Sequence, residues 1–156
     1  MNEKTLKNNY LLESIFELRL NLKELSDNLK INFDYNLFFL AKMYERIVRE
    51  YPVYKELPTS DIHPKIATYI IQHRFRKAED DWPIVQIGPG IITLNDTKKN
   101  YKWTDFYKRI NNLLDIIFEI YPKNLKINHL ILRYINSIDY DYENKDILLF
   151  LKNNLI

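Results

Sequence analysis

The alternation of apolar and polar positions is sharpest over residues 82–95, where two β-branched runs flank Gly88-Pro89-Gly90. Both glycines of the chain lie in this stretch. Glycine supplies φ > 0 and proline fixes φ at about −65°, so the pattern predicts a hairpin. Pairing Ile87 with Ile91 mixes Thr93 into the face of Val85 and Ile87. Pairing Ile87 with Ile92, across the loop 88–91, puts Val85, Ile87, Ile92 and Leu94 on one apolar face. Gln86, Thr93 and Asn95 then fall on the other. A one-residue slip exchanges the faces of a strand, so burial selects the second register. This hairpin is expected at the centre of a sheet.

Residues 14–20 alternate as well, with Phe16, Leu18 and Leu20 against Ile15, Glu17 and Arg19, and predict a half-buried strand. A helix over 11–25 is the alternative for this run. Leu37, Leu40, Tyr44, Ile47, Val48 and Tyr51 recur at helical spacing and predict a helix over 36–51, stopped by Pro52. Pro58 and Pro64 mark 53–65 as a loop. Residues 66–77 read as a strand with Tyr69, Ile71, His73 and Phe75 on one face and Gln72, Arg74 and Arg76 on the other. Glu79-Asp80-Asp81 makes an acidic bend. A second helix is predicted over 104–121, preceded by Thr104 or Lys102 with Thr104 the better cap, and with Phe106, Ile110, Leu113, Leu114, Ile117 and Tyr121 as its apolar stripe. Trp103 is expected to be a largely buried anchor between this helix and the hairpin. A last strand over 128–137 and a short helix over 144–155 complete the chain.

The resulting fold class is α+β: an antiparallel or mixed sheet in the order β-α-β-β-β-α-β, packed on two main helices, with a short C-terminal helix. Both main helices end in Tyr-Pro, and two strands carry Leu-Arg. A duplicated β-α-β plan, loosely ferredoxin-like, accounts for both echoes.

With 156 residues the chain is expected to form a single domain, 1–156. A hydrophobic content of 46% argues against disorder. The formal net charge of +2 is too mild to imply nucleic acid by itself. Residues 1–60 balance to zero, 61–110 carry +3 and 111–156 carry −1, so the basic excess surrounds the hairpin. No cysteine is present, which removes disulfides, iron–sulfur clusters, cysteine-type zinc sites and thiol nucleophiles. No apolar run of about 18 residues or more appears. The expected location is cytoplasmic, away from the membrane.

Ile15-Phe16-Glu17-Leu18-Arg19, Val85-Gln86-Ile87-Gly88-Pro89-Gly90, Thr93-Leu94-Asn95, Tyr101, Trp103, Phe106, Leu132-Arg133-Tyr134-Ile135-Asn136 and Ile138 occur in that order. Together they resemble a sporadically distributed, functionally uncharacterised prokaryotic protein family, over roughly residues 12–140. Members are usually longer at the C-terminus, so the chain resembles a short member. The resemblance carries no agreed catalytic residues. Its patchy distribution implies an association with mobile, defence or toxin–antitoxin genes.

The search for chemistry narrows quickly. His63, His73 and His129 have no partner at helical metal-ligand spacing. Asp61-Ile62-His63 reads as a solvated loop. Gly88-Pro89-Gly90 is followed by neither Lys-Ser/Thr nor a helix, so it is a structural turn and not a phosphate loop. No serine sits in a nucleophile elbow. No catalytic residue, metal or cofactor is assigned. What survives is the sheet face opposite the helices, with Glu17, Arg19, Arg74, Arg76, Gln86 and Arg133 as binding candidates and Gly88, Pro89, Gly90 and Trp103 as structural ones. That face is either a solvated surface with cross-strand Glu17–arginine pairs or a binding surface. The leading expectation is a non-catalytic interaction module that binds a protein partner or forms a homo-oligomer. Nucleic-acid binding through the arginines is an alternative, for which aromatic platforms on that face are wanted. Tyr69, Phe75 and Tyr134 are placed on the core side, which weighs against it. An enzyme needing a partner or a missing C-terminal part is the third possibility.

Overall fold

The computed structural model describes residues 10–21, 34–63, 66–97, 101–121, 126–137, 140–141, 143 and 145–155. The elements are β1 (Leu11–Leu20), α1 (Asp34–Ile47), β2 (Val53–Glu56), a 3-10 turn (Pro58–Asp61), β3 (His73–Arg76), β4 (Ile84–Gly88), β5 (Ile91–Thr97), α2 (Trp103–Ile120), β6 (Ile127–Asn136) and α3 (Ile147–Leu155). The strands form one sheet in the order β2-β3-β4-β5-β1-β6. Every neighbouring pair is antiparallel, so the fold is α+β with an antiparallel rather than a mixed sheet.

Four strands and the two longer helices follow the expected split β-α-β plan. β1 and β4 run the same way with β5 between them; β5 and β6 run the same way with β1 between them. β3 and β2 extend the sheet beyond β4. Phe16, Leu18, Leu20, Phe75, Val85, Ile87, Ile92 and Leu94 from the strands bury against Phe39, Met43 and Ile47 of α1 and Phe106, Ile110, Leu113 and Ile117 of α2. Both helices therefore cover the same sheet face. The opposite face belongs to the odd-numbered side chains of β1 and β5.

The central hairpin has the register that burial selects: Ile87 pairs with Ile92 and Val85 with Leu94, and the ladder continues one step to Gly88 and Ile91. The turn is thus Pro89-Gly90, shorter than the loop 88–91. Gly90 has φ 73, a region that costs an L-residue energy. Gly90→Val is expected to lower stability by about 1–3 kcal/mol through backbone strain. Urea unfolding checks this; an unchanged midpoint contradicts it.

Several elements differ from the sequence pattern, each for a physical reason. Residues 53–65 are not all loop: β2 pairs with β3, bringing Tyr54 opposite Phe75. A four-residue edge strand between two prolines carries too little pattern to be seen. Within 66–77 only His73–Arg76 is strand. The preceding residues bend over the hairpin tip, where the Tyr69 amide donates to the Pro89 carbonyl at 2.8 Å and the Gln72 amide to the Ile87 carbonyl at 3.0 Å. Tyr69 takes φ 65 to do so. In α1 the buried stripe is Phe39, Met43 and Ile47, while Leu37 and Tyr44 are exposed. The helix is turned by about one residue, roughly 100°, from the expected face. α2 begins at Trp103 with Lys102 at the cap position and no side-chain cap bond, so Thr104 lies inside the helix. Trp103 is 41% exposed, not buried; its ring lies against Tyr107 instead.

Among the described residues no helix is long and apolar enough to cross a membrane.

Candidate functional site

Strand alternation brings the expected polar residues to one face, where they bond chiefly to one another. Arg74 Nε donates to Gln86 Oε1 at 2.9 Å. Gln86 Nε2 donates to Thr93 Oγ1 and Asn95 Oδ1, both at 3.3 Å. Thr93 Oγ1 donates to Asn95 Oδ1 at 2.7 Å, and Asn95 Nδ2 to Glu13 Oε1 at 2.7 Å. Glu13 closes this chain of five side chains across β3, β4, β5 and β1, and sequence pattern alone does not single it out. Thr93 and Asn95 are buried, so this part of the face is not solvated.

Beside Thr93 lies Glu17, which pairs directly with both Thr93 and Ile131 across the sheet. Its carboxylate is buried and accepts hydrogen bonds from Arg19 and from Arg133. Arg133 is diagonal to Glu17 on β6, within reach for a long side chain. Burying a carboxylate is costly unless its oxygens are paired, and here each oxygen has an arginine. Arg19 also lies 5.1 Å from the Tyr69 ring centroid. Tyr69 therefore belongs beside the arginine face rather than on the core side. Phe75 is on the core side and fully buried; Tyr134 is on the core side and exposed. Arg76 sits over the Trp82 ring at 5.8 Å and 3.8 Å from the Asp80 carboxylate.

Of the ten singled-out residues, Glu17, Arg19 and Arg133 form one cluster. Arg74 and Gln86 join a second, and Arg76 stands apart beside the acidic bend. Gly88 and Pro89 have a further role: the Pro89 carbonyl accepts from the 66–72 segment, which crosses close over Gly88.

Two polar features lie on the helix side. A cleft of about 40 Å³ opens between α1 and α2, lined by Glu50, Tyr51, Val85, Leu94, Arg109 and Asn112 among others. Arg109 donates to Glu50 and, at 3.3 Å, to the Tyr51 hydroxyl. Burial pushes that hydroxyl up to about 12. At the outer edge, His73 Nδ1 and the Tyr54 hydroxyl share a hydrogen bond at 3.0 Å. Burial lowers the His73 pKa, with Glu56 opposing weakly. The folded state thus binds this proton less readily than the unfolded chain. His73 contributes stability that is full above its ordinary pKa of about 6.5 and is lost as pH falls through the lowered value. A His73→Gln variant is expected to show a flatter stability profile below pH 6.5 than the wild type. Identical profiles in denaturant titrations between about pH 5 and about pH 7.5 contradict this.

A different surface stands open. β6 is an edge strand on which Leu130, Leu132 and Tyr134 point to the helix side and Ile135 to the other; all four are exposed, Leu130 by 58%. On α2, Trp103, Tyr107, Leu114 and Phe118 fall on one stripe at about 100° per residue. Arg109 and Glu119, which meet Glu50 just beyond α1 and Arg46 within it, lie on the other flank. The aromatic stripe therefore faces away from α1. The start of α2 is tied to β6 by Tyr101, whose ring packs on Phe106 and whose hydroxyl meets that of Tyr134 at 3.2 Å. Burial raises the Tyr101 pKa, and the bond to Tyr134 raises it further. Trp103, Tyr107, Phe118, Leu130, Leu132 and Tyr134 thus form an exposed apolar margin along one side of the molecule. The signal was present in the sequence: residues 130–135 are apolar at both parities except for Arg133, which does not suit a strand with one solvated face.

The fold and surface define an α+β domain with a two-helix layer, an internally bonded polar face and an open apolar edge. No family model matches the chain, and neither a curated protein nor a solved structure matches it.

Proposed function

We propose that the protein is a non-catalytic interaction module that takes up another polypeptide along β6. The observation that carries this is the contrast between the two sheet edges. β2 is four residues long and carries Lys55 and Glu56, a short charged edge of the kind that resists pairing. β6 is ten residues long with one charged side chain, Arg133, and exposed leucines. A long apolar edge is a template for strand addition, with main-chain hydrogen bonds giving affinity and alternate side chains giving selectivity. The aromatic flank of α2 supplies large apolar area beside it, as interface cores do.

Affinity capture from a native host, with wild type and Leu130→Lys side by side, tests this. A polypeptide retained by the wild type, a second copy included, is expected to be lost by the variant at unchanged circular dichroism. Equal retention by both chains, or by neither, contradicts it.

Nucleic-acid binding is a second reading, favoured by the Tyr69 ring beside Arg19 and by the half-exposed Arg133. Glu17 offsets one of those two charges and holds both guanidinium groups, so the reading ranks lower. A salt-dependent shift of labelled single-stranded RNA that is lost in Arg133→Glu supports it; no shift at low salt rejects it.

A further inference from the structure

We propose that the polypeptide on β6 is a second copy of this chain, paired antiparallel about a two-fold axis through Leu132. The inference rests on the strand-addition reading above and names its partner. A two-fold axis perpendicular to the sheet pairs residues of like parity, because opposed side chains share a face. Two registers then centre on the strand. With the axis at Leu132, Leu132 meets Leu132, Leu130 meets Tyr134, Ile131 meets Arg133 and His129 meets Ile135. With the axis at Ile131, His129 meets Arg133, opposing two basic side chains, and the axis leaves the centre of the regular stretch His129–Ile135.

The first register matches apolar with apolar on the helix side. Its one charged residue, Arg133, stands opposite an isoleucine and pairs with Glu17 of its own chain, which it shares with Arg19. Like charges directly opposite destabilise a ladder, while matched pairs support it. The regular stretch of the strand, His129–Ile135, is centred on Leu132, has no proline to interrupt it, and leaves Leu130, Leu132 and Tyr134 partly in water until it is covered. Pairing two sheets this way gives a continuous sheet with the four longer helices on one side. It also removes the exposed edge from both copies.

The absence of cysteine from the sequence gives a clean test. Directly opposed positions have Cβ atoms about 4.5–5.5 Å apart and diagonal ones about 7–8 Å, so only the residue on the axis is placed to oxidise to a disulfide with its own copy. Leu132→Cys and Ile131→Cys are purified separately, oxidised with diamide and run without reductant, alongside the wild-type mass in solution over a range of concentrations. The expected result is a wild-type dimer at twice 19.0 kDa, cross-linking of Leu132→Cys, and little cross-linking of Ile131→Cys. Cross-linking of Ile131→Cys alone overturns the register. A wild-type dimer with neither variant cross-linked overturns the use of β6 between copies. A monomer at every concentration overturns the choice of partner. In that last case the strand-addition reading is still judged separately, by whether Leu130→Lys loses the chain that the wild type captures.

Discussion

Phe106→Ala is expected to lower stability by about 3–5 kcal/mol, the range for emptying a buried aromatic site. Trp103→Ala, one turn earlier, is expected to cost less than about 1 kcal/mol. The two aromatic rings sit on the same helix, but Phe106 is fully buried in the core and packs against Tyr101 at 5.5 Å. Trp103 is 41% exposed and touches Tyr107 on the outer flank. For a chain of this length each kcal/mol moves Tm by about 2–4 °C, so the Phe106 effect is large in a thermal melt. Trp103→Ala is expected instead to weaken association, since its ring belongs to the apolar margin. The reverse ranking in melts of the two variants contradicts the orientation of α2.

Gly88→Ala is the second large effect, at about 3 kcal/mol, above the usual cost of one added methyl group. A Cβ at Gly88 would lie 1.9 Å from the Ile70 carbonyl oxygen and 2.8 Å from its carbon. Those are backbone atoms, held there by the Tyr69 and Gln72 amides on the hairpin tip, so relief means lifting the whole 66–72 segment. The two glycines therefore act differently: Gly90 is needed for its positive φ, Gly88 for its missing side chain. The distinction has a direct readout. Gly88→Ala is expected to expose 66–72 to limited proteolysis, whereas Gly90→Val lowers stability without selective cleavage there. Equal protease resistance in Gly88→Ala and wild type contradicts the close crossing.

The hairpin register, β1 and the buried stripe of α2 were legible because each has one period and one apolar face. Ile87–Ile92 pairing followed from parity alone. Residues 66–72 were not legible, since Tyr69, Ile71 and Gln72 alternate as in a strand while their amides turn to the hairpin tip, a long-range bond that no local pattern encodes. α1 misled in a different way: Leu37, Leu40 and Tyr44 compete with Phe39 and Met43 as stripes, and only the packing of Phe39 and Met43 into the core, with Phe39 against Tyr121 at the end of α2, decides between them. At the candidate site, the gathering of Glu17, Arg19 and Arg133 was legible from strand parity. So was the pairing of Glu17 with those arginines; the burial of Glu17 was not, because that depends on which strands neighbour β1. The apolar edge was visible as a run of leucine and isoleucine at both parities, yet only the strand order shows that β6 lies at the sheet's margin.

Amide hydrogen exchange of β6 as a function of protein concentration tests most directly whether this edge is an interaction surface. Outward-pointing amides on an edge strand lack a ladder partner and exchange readily until another strand covers them. Protection over 128–136 is expected to rise with concentration while the β2 edge, 53–56, stays unchanged. Exchange on β6 that is independent of concentration and of any captured chain would contradict the proposed role of the edge.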